Sequence, residues 1–550
     1  MPTQNQTRML TYDLNAKGTT STYAYLYQLI REDIARGVIP SNAKLPSKRS
    51  LAQHLGIGVA TVAAAYEQLI TEGFVRSEQR RGFFVENVSQ YRYRPVVATG
   101  ANGPRGGLDG RAGAAPAKAH GDSTRTLPAS GGDAAAAPAP DGAAQATKGA
   151  YDQDFFVDMK DNRTSIDLFP TSVWARYMRE ALAQPPRKLL RSVPFNGLPE
   201  LRRAIASYLG RARGMRVSPE SIVIGAGSEY LYGRLLQMMG PTTTFAMENP
   251  GYKKFAAISR SYGNPWVSVP IDEAGMVVEA LEDSGADVAH VSAANHFPTG
   301  VVMPITRRLE LFKWAGRARK RFIIEDDYDS EFRYTGRPIM PLFADDTAGK
   351  VIYMNAFSKT MMPSLRIGYL VLPDRLMRRY LDTMSFYACT VSSAEQYALA
   401  RFIDEGHLER HINRMRTFYR NQRTSVLGAL EASSLASISA VEERNAGTHF
   451  LLHVNTGLCE RDVRARGEAA GLNISMLSDY QLAGDGAFAS AIANGGAKAG
   501  SCPLTIVVNY AGISPDRVEE SVRRLASIFP ECQISPAKSS RNASLTDARP

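Results

Sequence analysis

Between Val88 and Ala150 the chain loses every hydrophobic period: the stretch is Ala, Gly and Pro with scattered charges, and neither an apolar stripe nor an alternation survives in it. Such a segment has too little apolar surface to offset the entropy of ordering it. It reads as a flexible linker over 88–150, so the 550 residues must build separate cores on either side of it. Taken as a random coil of about sixty residues, it has an r.m.s. reach of roughly 40–45 Å.

The flanking parts are rich enough to do so. Hydrophobic residues make up 44% and charged residues 22%, as in a soluble globular chain long enough for more than one domain. The net charge of +11 favours an acidic partner such as nucleic acid. Cys389, Cys459, Cys502 and Cys532 show no metal-ligand spacing and no disulfide-like density; each reads as a small buried hydrophobe in a reducing compartment, and no metal is expected. Residues Met1 to Thr20 lack an apolar signal core, and no apolar run approaches membrane-spanning length. The expectation is a cytoplasmic protein.

In the front part, Tyr23, Leu26, Tyr27, Ile30 and Ile34 recur at helical steps, with Gly37 as the closing residue. Ser47 can cap a second, short helix, Gly56 can make the turn after it, and a third helix runs from about Gly58 to Glu72. Phe74 to Val85 alternates around Arg80-Arg81-Gly82 as a two-stranded wing does. Three helices and a basic hairpin describe a winged helix-turn-helix, over 20–87. Thr20 to Gln90 holds eight Lys or Arg against six acids, only +2, but Lys48 and Arg49 stand at the start of helix two and Arg80 and Arg81 at the wing tip, where phosphates are met. Any one of them also fits a solvated surface; the ordered set makes Ser47, Lys48, Arg49, Thr61, Arg80, Arg81 and Gly82 the candidate DNA contacts.

The run Leu45-Pro46-Ser47-x-Arg49-x-Leu51-Ala52-x-x-Leu55-Gly56, followed by Thr61-Val62-x-x-Ala65-Tyr66-x-x-Leu69-x-x-Glu72-Gly73 and Gly82-x-Phe84-Val85, resembles the DNA-binding domain of the GntR family. One departure stands out. The family usually places Ser-Arg at the start of the recognition helix, and this chain has Gly58-Val59. A cation that reaches a base edge or phosphate is lost there, and a side chain suited to a thymine methyl takes its place.

Beyond the linker, apolar strand-like runs alternate with helical segments: Ile222 to Ile224, Phe245 to Met247, Val288 to Val291, Phe322 to Ile324, Val351 to Met354 and Ile367 to Leu372. The alternation predicts an α/β fold with a mostly parallel, doubly wound sheet, whose ligands bind at the carboxyl ends of the strands. The effector region is expected over 151–535, with a smaller α+β unit over about 420–530 and a disordered tail over 536–550.

Chemistry concentrates at those strand ends. Lys359 follows Val351 to Met354, and Arg366 stands seven residues later. A desolvated ammonium beside other cations loses its proton readily and can condense with a carbonyl cofactor. A surface Lys and Arg flanking a loop fit this stretch as well. Asp326 and Tyr328 lie in the acidic run Glu325 to Glu331; a strand-end carboxylate can hold a pyridinium nitrogen protonated, though the run alone also suits a metal loop or a solvated turn. Gly225-Ala226-Gly227-Ser228 is a strand-to-helix turn that can receive a phosphate. Tyr252, on a Pro-Gly turn, can stack on a flat ring or simply pack.

In this chain order the pieces resemble fold-type I aminotransferases and, joined to the head, the MocR/GabR subfamily of GntR regulators. Asn196-Gly197-Leu198-Pro199, His296-Phe297-Pro298-Thr299-Gly300 and Gly447-Thr448-His449 strengthen the resemblance. It implies pyridoxal 5′-phosphate held as an aldimine on Lys359, with Asp326 at the ring nitrogen, Tyr328 at the ring hydroxyl and Tyr252 stacked on the ring. Gly227, Ser228, Ser358 and Arg366 then hold the phosphate. It also implies a homodimer in which one subunit's head lies against the other's large domain, with operator DNA and a small amine as partners. Three departures matter: Ala356 replaces a phosphate-bonding Ser or Thr, Phe297 an Asn that contacts the ring hydroxyl, and Val507 the Arg that clamps an α-carboxylate. The expectation is thus a regulator that senses an amine, or the cofactor itself, through Lys359, with at most partial transaminase chemistry. The alternative is a working aminotransferase with an accessory head. Lys254, two residues after Tyr252, is a candidate anchor for an anionic end of the effector.

Overall fold

The computed structural model describes residues 9–18, 20–88, 155–160, 168–185, 189–334, 336, 338–444, 446–482 and 504–529. The expected linker beyond Val88 and the expected tail lie outside the described residues, as do Cys502 and Cys532.

The head consists of α1 (Thr22–Ala35), α2 (Lys48–Leu55) and α3 (Val59–Thr71), followed by β1 (Val75–Glu78) and β2 (Gly82–Val85). Ser47 caps α2 by accepting a hydrogen bond from Ser50 N at 3.1 Å, and Gly56 makes the left-handed turn with φ 64°. Leu26, Ile30, Leu51, Val62, Leu69 and Val85 are fully buried together, one apolar residue per helical turn or strand repeat, as the sequence pattern requires. Each such burial stabilises by about 1.5–3 kcal/mol.

The large domain is built on eight strands in the order β4-β11-β10-β9-β8-β5-β6-β7. After a short β3 (Val157–Asp158), these are β4 (Ile222–Gly225), β5 (Phe245–Asn249), β6 (Trp266–Asp272), β7 (Gly275–Met276), β8 (Val288–Val291), β9 (Phe322–Asp326), β10 (Val351–Ala356) and β11 (Gly368–Val371). β6, β5, β8, β9 and β10 run parallel. Their continuous apolar runs reflect helices on both faces. β11 is antiparallel to both β10 and β4, although its composition reads like that of its parallel neighbours. The connection from Ala356 to Gly368 is too short for a crossover helix, so the chain turns back on itself through Pro363–Leu365.

The smaller unit is a four-stranded sheet of β12 (Ser439–Glu442), β13 (His449–Val454), β16 (Leu504–Asn509) and β15 (Ser475–Met476), while β14 (Leu472–Asn473) pairs with β3. Its long helix, His407–Ala432, begins before residue 420. Leu408 and Ile412 pack into the large domain's core, and Met415, Tyr419, Val426 and Leu430 into the small one, so one helix serves both. Cys389 is half-buried, and Cys459 is exposed rather than packed.

The head rests on the chain's own large domain. Ile305 N donates to Glu72 O at 2.9 Å, and the Ile305 side chain joins the head's core. Arg31 meets Asp345 at 3.4 Å, with each side chain 5% exposed. Gly73 (φ 76°) permits the approach, because a Cβ there lies 2.6 Å from Pro304 Cβ. The resemblance implied packing on a partner subunit; within this one chain the contact is internal.

Candidate functional site

Side chains alternate across β9, and the acidic run is divided accordingly. Glu325 points to one face and accepts from Leu342 N (2.7 Å) and Phe343 N (3.0 Å). Asp327 takes Arg213 at 2.5 Å and Tyr353 Oη at 2.6 Å. Asp326 between them faces the other way, with His290 Nε2 on β8 3.9 Å from its carboxylate. No group of three or more His, Cys, Asp and Glu among the described residues is arranged to hold a metal.

Lys359 lies in the turn after β10, its side chain 16% exposed. Nζ donates to Thr448 Oγ1 at 3.2 Å, sits 3.8 Å from Asp329 Oδ2 and lies 5.1 Å from the centroid of the Tyr328 ring. Burial pushes its ammonium pKa down against the opposing pull of Asp329. Tyr328 Oη accepts from Asn295 Nδ2 at 3.3 Å, and the same amide nitrogen bonds Asp329 Oδ2 at 2.9 Å. Burial raises Asp326 to about 7 and Asp329 to about 6, with neighbouring acids adding to each. His290, His296 and His449 are driven by burial to about 3, so each imidazole is neutral at neutral pH.

The glycine turn between β4 and the helix Ser228–Met239 faces this group. Gly227 caps that helix with φ 88°, and a Cβ there lies 2.7 Å from Arg366 Nη2. Free N–H groups at a helix start, a guanidinium against them and no side chain between make an anion cradle. Glu229, in the helix's first turn, holds both nearby cations: Arg366 Nη2 at 3.4 Å and Lys254 Nζ at 2.9 Å. Lys254 is thus engaged with a carboxylate. Ser358 is half-buried in the Lys359 turn. Tyr252 is 40% exposed, packs edge-on to Phe255 at 5.3 Å and has Lys254 Nζ 5.8 Å from its ring centroid.

The structure gathers Lys359, Asp326, Tyr328, Tyr252, Gly227, Ser228, Ser358 and Arg366 at the carboxyl ends of the strands. It adds Asp329, Asn295 and Thr448, to which sequence reasoning gave no role. Asp329 stood within the acidic run, but nothing in the run says which carboxylate turns toward the lysine. The donor set fits pyridoxal 5′-phosphate: a desolvated lysine, a strand-end carboxyl with spare capacity, an aromatic face and a helix-start cradle backed by Arg366.

Departures in the sequence also have a place. Val507 on β16 pairs with Leu451 and Ser475 and is 2% exposed. Phe297 packs edge-on against His449 at 5.0 Å and Tyr480 at 4.9 Å, making an aromatic wall.

In the head, Arg49, Arg80 and Arg81 are exposed, with Arg81 paired to Glu78 and lying 5.6 Å from the Phe84 ring centroid. Lys48 lies 5.4 Å from the Phe83 ring centroid. Thr61 and Gly82 are half-buried. Val59, at the start of α3, is 46% exposed.

Comparison with known proteins gives the same two parts. Residues 22–85 match the bacterial regulatory proteins of the gntR family, and residues 159–458 match aminotransferase class I and II. The HTH-type transcriptional regulator YdeL of Bacillus subtilis is 32% identical over 92% of this chain and 96% of its own. The HTH-type pyridoxine biosynthesis transcriptional regulator PdxR of Corynebacterium glutamicum is 30% identical over 85% and 90%. The fold matches a multiple substrate aminotransferase from Thermococcus profundus with a TM-score of 0.60 at 23% identity, over 72% of this chain and 96% of that one. No helix among the described residues is long and apolar enough to cross a membrane. The chain therefore belongs to the gntR family of bacterial regulatory proteins, in the MocR-like branch that joins the winged head to an aminotransferase class I and II domain.

Proposed function

We propose that this protein is a transcriptional regulator that binds double-stranded operator DNA through its winged head and senses a small amine, or pyridoxal phosphate itself, through Lys359. The observation that carries the reading is the convergence of Lys359, Asp326, Tyr328 and the Gly227–Arg366 cradle in a chain that also bears a DNA-binding head. Pyridoxal 5′-phosphate bound there supplies an electrophilic carbonyl that captures primary amines. The protein's own groups do the rest. Burial pushes the Lys359 ammonium pKa down, which favours its nucleophilic amine form. Asp326 would hold a proton at the ring nitrogen, and Tyr328 and Asn295 would bond the ring hydroxyl. Gly227, Ser228, Ser358 and Arg366 would receive the phosphate, and Tyr252 would cover the ring. Action as a homodimer in the cytoplasm belongs to the same reading.

A working aminotransferase is the weaker reading, because buried Val507 provides no clamp for an α-carboxylate. Purified protein is expected to show the absorption band of lysine-bound cofactor, and Lys359→Ala to lose it. A titration with a panel of amines, repeated with operator DNA, then reads the sensing. A band that persists in Lys359→Ala removes the cofactor role of that lysine; steady turnover of amino donor with keto acid favours the enzyme.

A further inference from the structure

The segment that carries Asp329 beside Lys359 also carries a buried cation that feels the head's charges. Four residues after Asp329 comes Arg333, only 7% exposed. Its charge is felt across the junction by Glu72 and Tyr27 of the head, and burial pushes its pKa down against their pull. Arg333 Nε and Nη1 are buried without a hydrogen-bond partner among the described residues. On the head side, Glu72 is tied: its carboxylate accepts from Tyr27 Oη at 2.6 Å and from Gln68 Nε2, and its main-chain oxygen accepts from Ile305 N at 2.9 Å. Gln68 Oε1 in turn lies where a side chain on Gly336 belongs.

A second segment runs beside the first. Ala446 bridges Arg333 in an antiparallel pair, Gly447 N donates to Phe332 O at 2.9 Å, and Tyr334 Oη donates to Gly447 O at 2.5 Å. The next residue is Thr448, the hydrogen-bond acceptor of Lys359. Segment 329–334 thus brings Asp329 to Lys359 at one end and Arg333 within electrostatic reach of Glu72 of the head at the other, and segment 446–448, which carries Thr448, is tied along it.

We propose that Arg333 is the positioning residue through which the charge on Lys359 sets how firmly the head is docked. It rests on reading Lys359 as the sensing group. While Lys359 is an ammonium, it offsets Asp329, which stands among Asp326, Asp327 and Glu331. Once that charge is withdrawn, the loop carries uncompensated acids, and Arg333 with its two free donors is drawn between them and Glu72. Docking loosens. A mere docking residue also faces Glu72, but its effect does not depend on Lys359.

The test uses the full chain without cofactor and reads hydrogen exchange at the Ile305 amide, whose acceptor is on the head. Lys359→Met is expected to speed that exchange about fivefold or more. In an Arg333→Met background the same substitution adds nothing, and Arg333→Lys restores the response. No change at Ile305 in Lys359→Met, or an equal change with and without Arg333, overturns the proposal. If Arg333→Met alone frees Ile305 completely, the coupling is read from the other end, since linkage is reciprocal. The pH midpoint for acetylation of Lys359 by acetic anhydride, followed by mass spectrometry, then shifts between wild type and Arg333→Met; an unmoved midpoint overturns the coupling. Cofactor absorbance and operator binding of the wild type, measured separately, report on the proposed function and leave these outcomes intact.

Discussion

At the scale of the residue, Val507 and the buried carboxyls each carry a prediction. Val507 is buried on β16 where a carboxylate clamp is absent. Val507→Arg is expected to raise the affinity of the cofactor-loaded protein for L-amino acids by about tenfold, the equivalent of one partly offset charge-assisted pair. A spectral titration with L-alanine and its decarboxylated counterpart, ethylamine, checks this; equal gains for both speak against a carboxylate contact. The buried carboxyls supply the second prediction. Asp326 at about 7 and Glu248 at about 8, with Glu325 and Glu331 near 7, stay protonated in the folded chain after the unfolded chain has released its protons. Their stabilising effect is therefore present at low pH and lost as pH rises through those values. The histidines held near 3 act in the opposite sense, but only below about 6.5, where the unfolded chain takes up protons. Between pH 6.5 and 8.5 the cofactor-free protein should thus lose stability, by about 1–2 kcal/mol per carboxyl. Asp326→Asn should remove one such share, as measured by urea denaturation at the two pH values.

At the scale of the element, α3 is a strut with different work at its two ends. Its start exposes Val59, and its end, about 18 Å away at 1.5 Å per residue, buries Gln68 and Glu72 near the large domain. The turn at Gly73 combines a positive φ with a close approach to Pro304. Gly73→Ala should therefore cost about 1–3 kcal/mol, through both the backbone and the displaced contact. The loss should show as faster exchange at Ile305 N, with the head's own buried amides less affected; uniform loss throughout the head means that the turn rather than the junction failed. The sequence announced α3 and its glycine stop by period and composition alone. What the glycine meets was beyond it, since Pro304 lies far along the chain.

At the scale of the whole molecule, head and effector are joined by a junction that includes a buried ion pair. Arg31 and Asp345 each expose 5% of their side chains. Breaking such a pair on one side leaves an uncompensated buried charge, so Arg31→Ala and Asp345→Ala should each destabilise by about 3–5 kcal/mol. The double variant should cost clearly less than the two together. Equilibrium denaturation of the four proteins closes the cycle; additive losses remove the pair as a joint between the domains.

The sequence by itself determined the parts: a winged head, a parallel core of alternating strands and helices, and Lys359, Asp326, Tyr328 and Arg366 at strand ends. These follow from short-range rules, because period, capping residues and apolar runs are local properties. Tertiary structure decided what depends on residues distant in the chain. It turned β11 antiparallel, sent Glu325 and Asp327 to structural partners while Asp326 faced the pocket, and engaged Lys254 with Glu229. It also brought Asp329 and Thr448 to Lys359. Long-range pairing of side chains is fixed by the packing of the sheet and its helices, and no local pattern encodes it.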